Sequence, residues 1–78
     1  MYLKFKYYVN MKILARRLKL ARLKEGLTQK ELAGELGIPL KTYKNYEAIG
    51  IGHATPPLEL LVRIAELLNT TTDYLLGR

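Results

Sequence analysis

Residues 26–38 constrain the fold of this chain more than any other segment, because they predict both ends of a short helix. Thr28 is a favourable N-cap, and Glu31 three residues later completes a capping box with it. Gly37 ends the apolar periodicity after about two turns. The apolar residues that share one helical face between these signals are Leu32, Ala33 and Leu36. The segment therefore predicts a helix over residues 29–36, followed by a glycine turn and another short helix.

The remaining periodicity predicts an all-α domain of five helices. Helix 1 is expected over residues 11–25, helix 3 from Pro39 or Leu40 to Glu47, and helix 4 from Pro56 or Pro57 to Leu68. A last short helix is expected between Thr71, as its cap, and Gly77. The predicted core face of helix 1 consists of Leu14, Leu18 and Ala21, and that of helix 4 of Leu58, Leu61, Ile64, Ala65 and Leu68. Asn69 suits the turn that ends helix 4.

The first ten residues differ from the rest in composition. Residues 2–9 (Tyr2 to Val9) are rich in aromatic side chains and partly alternate, which favours a short extended segment that could form a β-strand. A single strand needs a partner, such as its copy in a second subunit. The alternative is a frayed tail before Met11. We therefore divide the chain into an N-terminal extension, residues 1–10, and a domain, residues 11–78.

Charge is unevenly distributed along the 78 residues. The net charge is +6, and eight of the thirteen basic residues precede Glu25, which is the first acidic residue. Such a block favours a polyanionic partner through counterion release, although a merely soluble surface is the alternative. There is no cysteine, no apolar run of membrane-spanning length and no signal-peptide pattern, so a cytoplasmic protein is expected.

No group of residues points to catalysis or to a bound metal. His53 is the single histidine and lies in a glycine-containing loop with no cysteine near it, whereas a metal site needs three or four ligands. We interpret His53 as a surface loop residue. Neither an enzyme activity nor a cofactor is expected.

From Leu14 to Gly77 the chain resembles the lambda-repressor/Cro-like (XRE-type) helix-turn-helix family. The matching pieces occur in the family's order and cover about four-fifths of the chain: Arg17-Leu18-Lys19, Arg22, Gly26-Leu27-Thr28-Gln29, Glu31-Leu32-Ala33, Leu36-Gly37-Ile38, Thr42, Tyr46-Glu47, Pro56, Leu58-Glu59, Leu61, Ile64-Ala65, Leu68 and Asp73-Tyr74-Leu75-Leu76-Gly77. The resemblance implies a compact five-helix DNA-binding domain whose third helix enters the major groove.

The resemblance also implies roles for particular residues. Those expected to contact DNA are Gln29, Leu40, Lys41, Thr42, Lys44 and Asn45. Among them, Gln29 is expected at a phosphate, Lys41 and Lys44 at guanine or phosphate, and Asn45 at adenine. Arg22 and Glu47 occupy the positions of a partly buried ion pair between helices 1 and 3. Tyr43 and Tyr46 are expected to pack inward rather than to stack on bases, although their hydroxyls could still reach the DNA backbone.

The resulting expectation is a transcriptional regulator, bacterial or phage-encoded, that binds double-stranded DNA and acts as a repressor. A homodimer on a two-half-site operator is expected, formed through residues 2–9 and a second apolar row on helix 1, which consists of Ile13, Leu20 and Leu23. Two features depart from the family: Pro39 replaces the usual cap of helix 3, and the following loop is longer and lacks basic residues. The alternative is therefore a protein-interaction module, or an antitoxin-like partner-binding protein, on the same scaffold.

Overall fold

The computed structural model describes the backbone of residues 2–78 and the side chains of residues 12–78. Within that part the fold is all-α, as predicted. Five helices follow one another along the chain: α1 Tyr2–Lys24, α2 Gln29–Leu36, α3 Leu40–Glu47, α4 Leu58–Leu67 and α5 Thr72–Leu75.

Helix α2 begins and ends at the predicted residues because its signals are local. The Thr28 Oγ1 accepts a hydrogen bond from the Glu31 N–H at 3.0 Å, and the Glu31 Oε1 accepts one from the Thr28 N–H at 2.8 Å. At the other end Gly37 adopts the left-handed conformation, with φ 70°, and the Ile38 N–H donates to the Ala33 carbonyl. This turn sends the chain directly into α3.

The N-terminal segment differs from its prediction. Residues 2–10 were expected to be extended, but in the structure their backbone belongs to α1, which begins at Tyr2. Residues 2–24 contain neither proline nor glycine, so nothing in the sequence interrupts the helix, whereas a lone strand would leave its backbone unpaired. The side chains expected to pair with a second subunit here, those of residues 2–9, lie outside the described part.

One core joins all five helices. Helix α3 packs against α1 and α2, α5 packs against α1 and α4, and α2 also contacts α4. The buried residues of this core are Leu14, Leu18, Ala21, Leu32, Ala33, Leu36, Tyr43, Tyr46, Leu61, Ile64, Ala65, Leu68 and Leu75. They include the predicted core faces of α1, α2 and α4, with one exception. Leu58 was expected to be buried, but it is exposed because it starts α4 at the edge of the core.

The second apolar row of α1 is covered only in part. Ile13 is half-buried against the C-terminal turn, where a Cβ on Gly77 would stand 2.9 Å from the Ile13 Cγ2. Leu20 and Leu23 remain more than half exposed. Arg17 on α1 contacts α5 in two ways. Its Nη1 donates a hydrogen bond to the Tyr74 carbonyl at 2.7 Å, and its guanidinium lies 4.6 Å from the centre of the Tyr74 ring.

Candidate nucleic-acid interface

Two buried tyrosines set the orientation of α3. Tyr43 and Tyr46 are buried, as predicted, and their rings meet edge to face with centroids 6.0 Å apart. Because successive residues of a helix are about 100° apart, the side of α3 opposite the tyrosines carries Lys41, Lys44 and Asn45. Both lysines are exposed and Asn45 is half-buried. We call these three residues the outer face of α3.

The outer face has unused hydrogen-bonding capacity. Within the described part, the side chains of Lys41, Lys44 and Asn45 make no hydrogen bond or ion pair with other residues. Leu40 and Thr42 flank this face, and both are half-buried. A carboxamide between two ammonium groups can donate and accept toward one base while the cations meet phosphate or guanine. The face therefore suits a polyanion that carries donor and acceptor edges.

A buried ion pair ties α3 to α1. The Arg22 Nε donates to the Glu47 Oε2 at 2.7 Å and the Arg22 Nη2 to the Glu47 Oε1 at 3.1 Å, and both side chains are at most 7% exposed. A third donor, the Arg22 Nη1, binds the Leu27 carbonyl at 2.8 Å. The hydrogen bonds to Glu47 raise the pKa of Arg22, against the lowering effect of burial. This geometry fixes the C-terminal end of α3 against α1 and the turn that precedes α2.

Gln29 joins the same network at the start of α2. Its Nε2 donates to the Glu47 Oε1 at 3.2 Å, which leaves its second amide N–H and its Oε1 without a partner in the described part. In the described part, the backbone N–H groups of Gln29 and Lys30 also have no intramolecular acceptor. Thr28, the residue before them, accepts only from the N–H groups of Glu31 and Leu32. The N-terminus of α2 therefore offers donors for an anion, in line with the phosphate contact expected at Gln29.

Sequence reasoning did not find two features next to this network. The Tyr43 hydroxyl is buried near Arg22 and Glu47 but makes no hydrogen bond with either. Burial raises the pKa of Tyr43 far above its ordinary value, and the Glu47 carboxylate raises it further. No sequence signal marks this hydroxyl, because its surroundings combine residues of α1 and α3 that are distant in sequence.

The second feature is the set of hydrogen bonds that hold the loop between α3 and α4, residues 48–57. His53, expected to be a surface residue, is half-buried, and its Nδ1 lies 2.9 Å from the Ala48 carbonyl. Since a carbonyl oxygen only accepts, the Nδ1 carries the proton in this contact. The Ala54 N–H also donates to the Asn45 carbonyl at 2.9 Å. His53 therefore holds the loop together rather than serving as an isolated surface group.

The basic block of the sequence lies entirely on α1. At least two of its members in the described part have structural partners, because Arg22 is paired with Glu47 and Arg17 lies on Tyr74. Because Glu47 compensates the charge of Arg22, the count of basic residues overstates the net charge that this block presents to a polyanion. None of the helices in the described part is long and apolar enough to cross a bilayer.

Comparison with known proteins places this arrangement in a family. A family model described as helix-turn-helix matches residues 18–75. The chain is 43% identical over 65 residues to the HTH-type transcriptional regulator ImmR of Bacillus subtilis, covering 83% of this chain and 49% of that protein. It is 45% identical over 51 residues to the cryptic phage CTXphi transcriptional repressor RstR of Vibrio cholerae, covering 65% and 43% of the two chains.

A further relative is the HTH-type transcriptional regulator AnsR of Bacillus subtilis, which is 42% identical over 57 residues, or 73% of this chain and 47% of that protein. The chain thus spans about half the length of the curated relatives that it matches. These relatives are named as regulators, which agrees with the expectation of a binding protein rather than an enzyme. The match covers all of the capped helix α2, the turn and the outer face of α3, and the chain belongs to the XRE-type helix-turn-helix family.

Proposed function

We propose that this chain is a sequence-specific regulator that binds double-stranded DNA through α3. The observation that carries the proposal is the outer face of α3, where Lys41, Lys44 and Asn45 stand free of intramolecular partners in the described part, on a helix held by buried groups. Preorganisation matters because a fixed helix loses little entropy when it enters the major groove. The names of the relatives, among them a phage transcriptional repressor, support the same function.

Each residue has a proposed role that follows from its chemistry. Asn45 forms paired hydrogen bonds with adenine, and Lys41 and Lys44 donate to guanine or to phosphate. Leu40 contacts a thymine methyl group, while Thr42 contacts a phosphate. Gln29, held by Glu47, gives its second N–H to another phosphate together with the free amides of α2.

We also propose that the regulator acts as a homodimer on two half-sites and that it represses transcription. Leu20 and Leu23 are apolar residues of α1 that stay exposed, at 58% and 53%, and they support a contact with a second copy. Ile13, expected in the same surface, contributes less because the C-terminal turn covers it in part. The side chains of residues 2–9, which were also expected to form this contact, lie outside the described part.

Selection of bound sites from random duplex DNA tests the function. The proposal predicts an enriched inverted repeat, whose half-sites are separated by about one or more helical turns. Sedimentation tests the dimer. Leu23→Glu should weaken self-association, because the added carboxylate in each subunit opposes burial at the contact. Val62→Glu, on α4, is the matched control. Failure to enrich any sequence at low salt would contradict the function, whereas enrichment of a single half-site with monomeric protein would contradict only the dimer.

A further inference from the structure

The buried hydroxyl of Tyr43 has no partner in the free protein. Among the residues of the described part that are not exposed, it is the only buried side-chain nitrogen or oxygen atom without a hydrogen bond. An unpaired donor of this kind destabilises the folded state, and folded proteins rarely leave one unpaired. The roles proposed above for α2 and α3 leave this group unused.

The hydroxyl lies beside a carboxylate that is bonded to other donors. Tyr43 precedes Glu47 by one turn of α3, so their side chains are neighbours on the helix surface. Glu47 raises the pKa of Tyr43 and Arg22 lowers it, which places the hydroxyl close to both charged groups. Glu47 accepts two hydrogen bonds from Arg22 and one from Gln29, and a carboxylate has about four acceptor positions. One position on Glu47 is therefore open to the Tyr43 hydroxyl.

Gln29 is the donor to Glu47 that DNA binding disturbs. Its bond to the Glu47 Oε1, at 3.2 Å, is the longest of the three, and Gln29 is half-buried whereas the Arg22 side chain is only 7% exposed. Under the proposed function, a phosphate competes with Glu47 for the Gln29 carboxamide. The Glu47 side chain is only 4% exposed, so water does not readily replace a donor that is drawn away. A buried carboxylate that loses a donor is destabilised unless another donor takes its place.

We propose that the Tyr43 hydroxyl is a reserve donor, which bonds to Glu47 when a DNA phosphate draws the Gln29 carboxamide away. The hydroxyl is then unpaired in the free protein and paired in the complex, so it favours the complex. Tyr43 is a positioning residue, because it acts on DNA binding through Glu47 and Gln29 without touching the duplex. This inference rests on the proposed function, in which Gln29 contacts a phosphate.

The first test removes the hydroxyl and keeps the ring. The affinity of Tyr43→Phe for the selected duplex is measured by fluorescence anisotropy, and the stability of the free variant by urea unfolding. We expect affinity to fall about three- to tenfold, while stability is kept or raised because the lost hydroxyl has no partner in the free protein. A residue that only shaped α3 would lower both quantities or neither. Tyr74→Phe, on α5, makes the same chemical change away from this network and should bind as the unaltered protein does.

The second test repeats the substitution in a protein without the Gln29 side chain. In Gln29→Ala the free protein has already lost this donor, so the Tyr43 hydroxyl bonds to Glu47 whether or not DNA is present. Adding Tyr43→Phe should therefore leave the affinity of Gln29→Ala nearly unchanged, although Gln29→Ala itself binds more weakly. The same addition should lower the urea midpoint, because it removes a bond that exists in the free protein. The effect of Tyr43→Phe on stability thus reverses its sign between the two backgrounds, in an assay that contains no DNA.

The two tests separate the reserve donor from the proposed function. An equal loss of affinity on Tyr43→Phe in both backgrounds would mean that Tyr43 acts independently of Gln29, and it would refute the inference. An unchanged affinity of Tyr43→Phe, or the same effect on stability in both backgrounds, would also refute it. If the unaltered protein selects no duplex, the proposed function fails, and the urea measurements still decide whether the Tyr43 hydroxyl serves Glu47.

Discussion

Breaking the Arg22–Glu47 ion pair from one side should destabilise the domain more than any surface change. Arg22→Ala would leave the Glu47 carboxylate, in a side chain only 4% exposed, with the 3.2 Å hydrogen bond from Gln29 as its remaining polar contact. It would also leave the Leu27 carbonyl without the donor 2.8 Å away. Removing one partner of a buried pair costs about 3–5 kcal/mol, because the remaining charge stays desolvated.

This loss is large compared with the stability of the whole domain. At about 0.05–0.15 kcal/mol per residue, a chain of this size unfolds with a free energy of roughly 4–12 kcal/mol. Urea unfolding followed by circular dichroism should therefore show a midpoint lower by at least about 1 M for Arg22→Ala, and similarly for Glu47→Ala. Either variant would be largely unfolded without urea if the domain lies at the low end of that range.

The double variant Arg22→Met with Glu47→Leu separates the charge effect from lost packing. It removes both charges at once, so it should cost less than either single change, about 1–2 kcal/mol for the unpaired Leu27 carbonyl and Gln29 amide. Arg63→Ala is the matched surface control, since its Nη2 makes only an exposed 3.3 Å bond to the Glu35 carbonyl. If the single changes at the pair cost no more than this control, the reasoning about desolvated charge is refuted.

Three further predictions concern the core, the interface and a helix cap. Folding raises the pKa of Tyr43 above its unfolded value near 10. The contribution of Tyr43 to the free energy of unfolding is therefore fully present below pH 10, and above pH 10 it declines by up to about 1.4 kcal/mol per pH unit. Urea titrations from pH 8 to 11 should show this decline, and Tyr43→Phe should reduce it while keeping or raising stability at pH 8. Lys44→Ala should lower the salt slope of DNA binding by about 0.9. The control is Lys30→Ala, which should lower the slope much less, because the Lys30 side chain lines a groove with Glu25, Glu31 and Glu35. Equal decreases for the two variants would contradict the assignment of Lys44 to the DNA contact. Thr28→Ala should cost about 1 kcal/mol in urea unfolding through loss of the capping box, and a cost below about 0.3 kcal/mol would contradict that account.

Features with short-range causes were predicted well from sequence. The bounds of α2 and α3, the end of α2 at Gly37, the turn at Asn69 and the cap at Thr71 depend on residues within four positions of one another. The inward direction of the two tyrosines was predicted together with the family resemblance, and the structure confirms it.

Features that depend on distant residues were predicted less well. The alternation of residues 2–9 favoured an extended segment, yet no partner strand exists in the described part and the helix of α1 continues through them. Leu58 has the period of a core residue, but its burial depends on whether another element covers the first turn of α4. The contact of His53 with Ala48 likewise depends on the path of the loop, and the unpaired Tyr43 hydroxyl depends on how α1 and α3 meet.

The most direct test of the central claim, that α3 reads base sequence, compares the sites selected by the unaltered protein and by Asn45→Ala. The Asn45 side chain has no intramolecular hydrogen bond in the described part, so the substitution should leave thermal unfolding nearly unchanged. We expect the unaltered protein to enrich a defined site, and Asn45→Ala to lose preference at one base position in each half-site while keeping it elsewhere. Equal weakening on every sequence, or an unchanged preference at every position, would contradict base reading by α3.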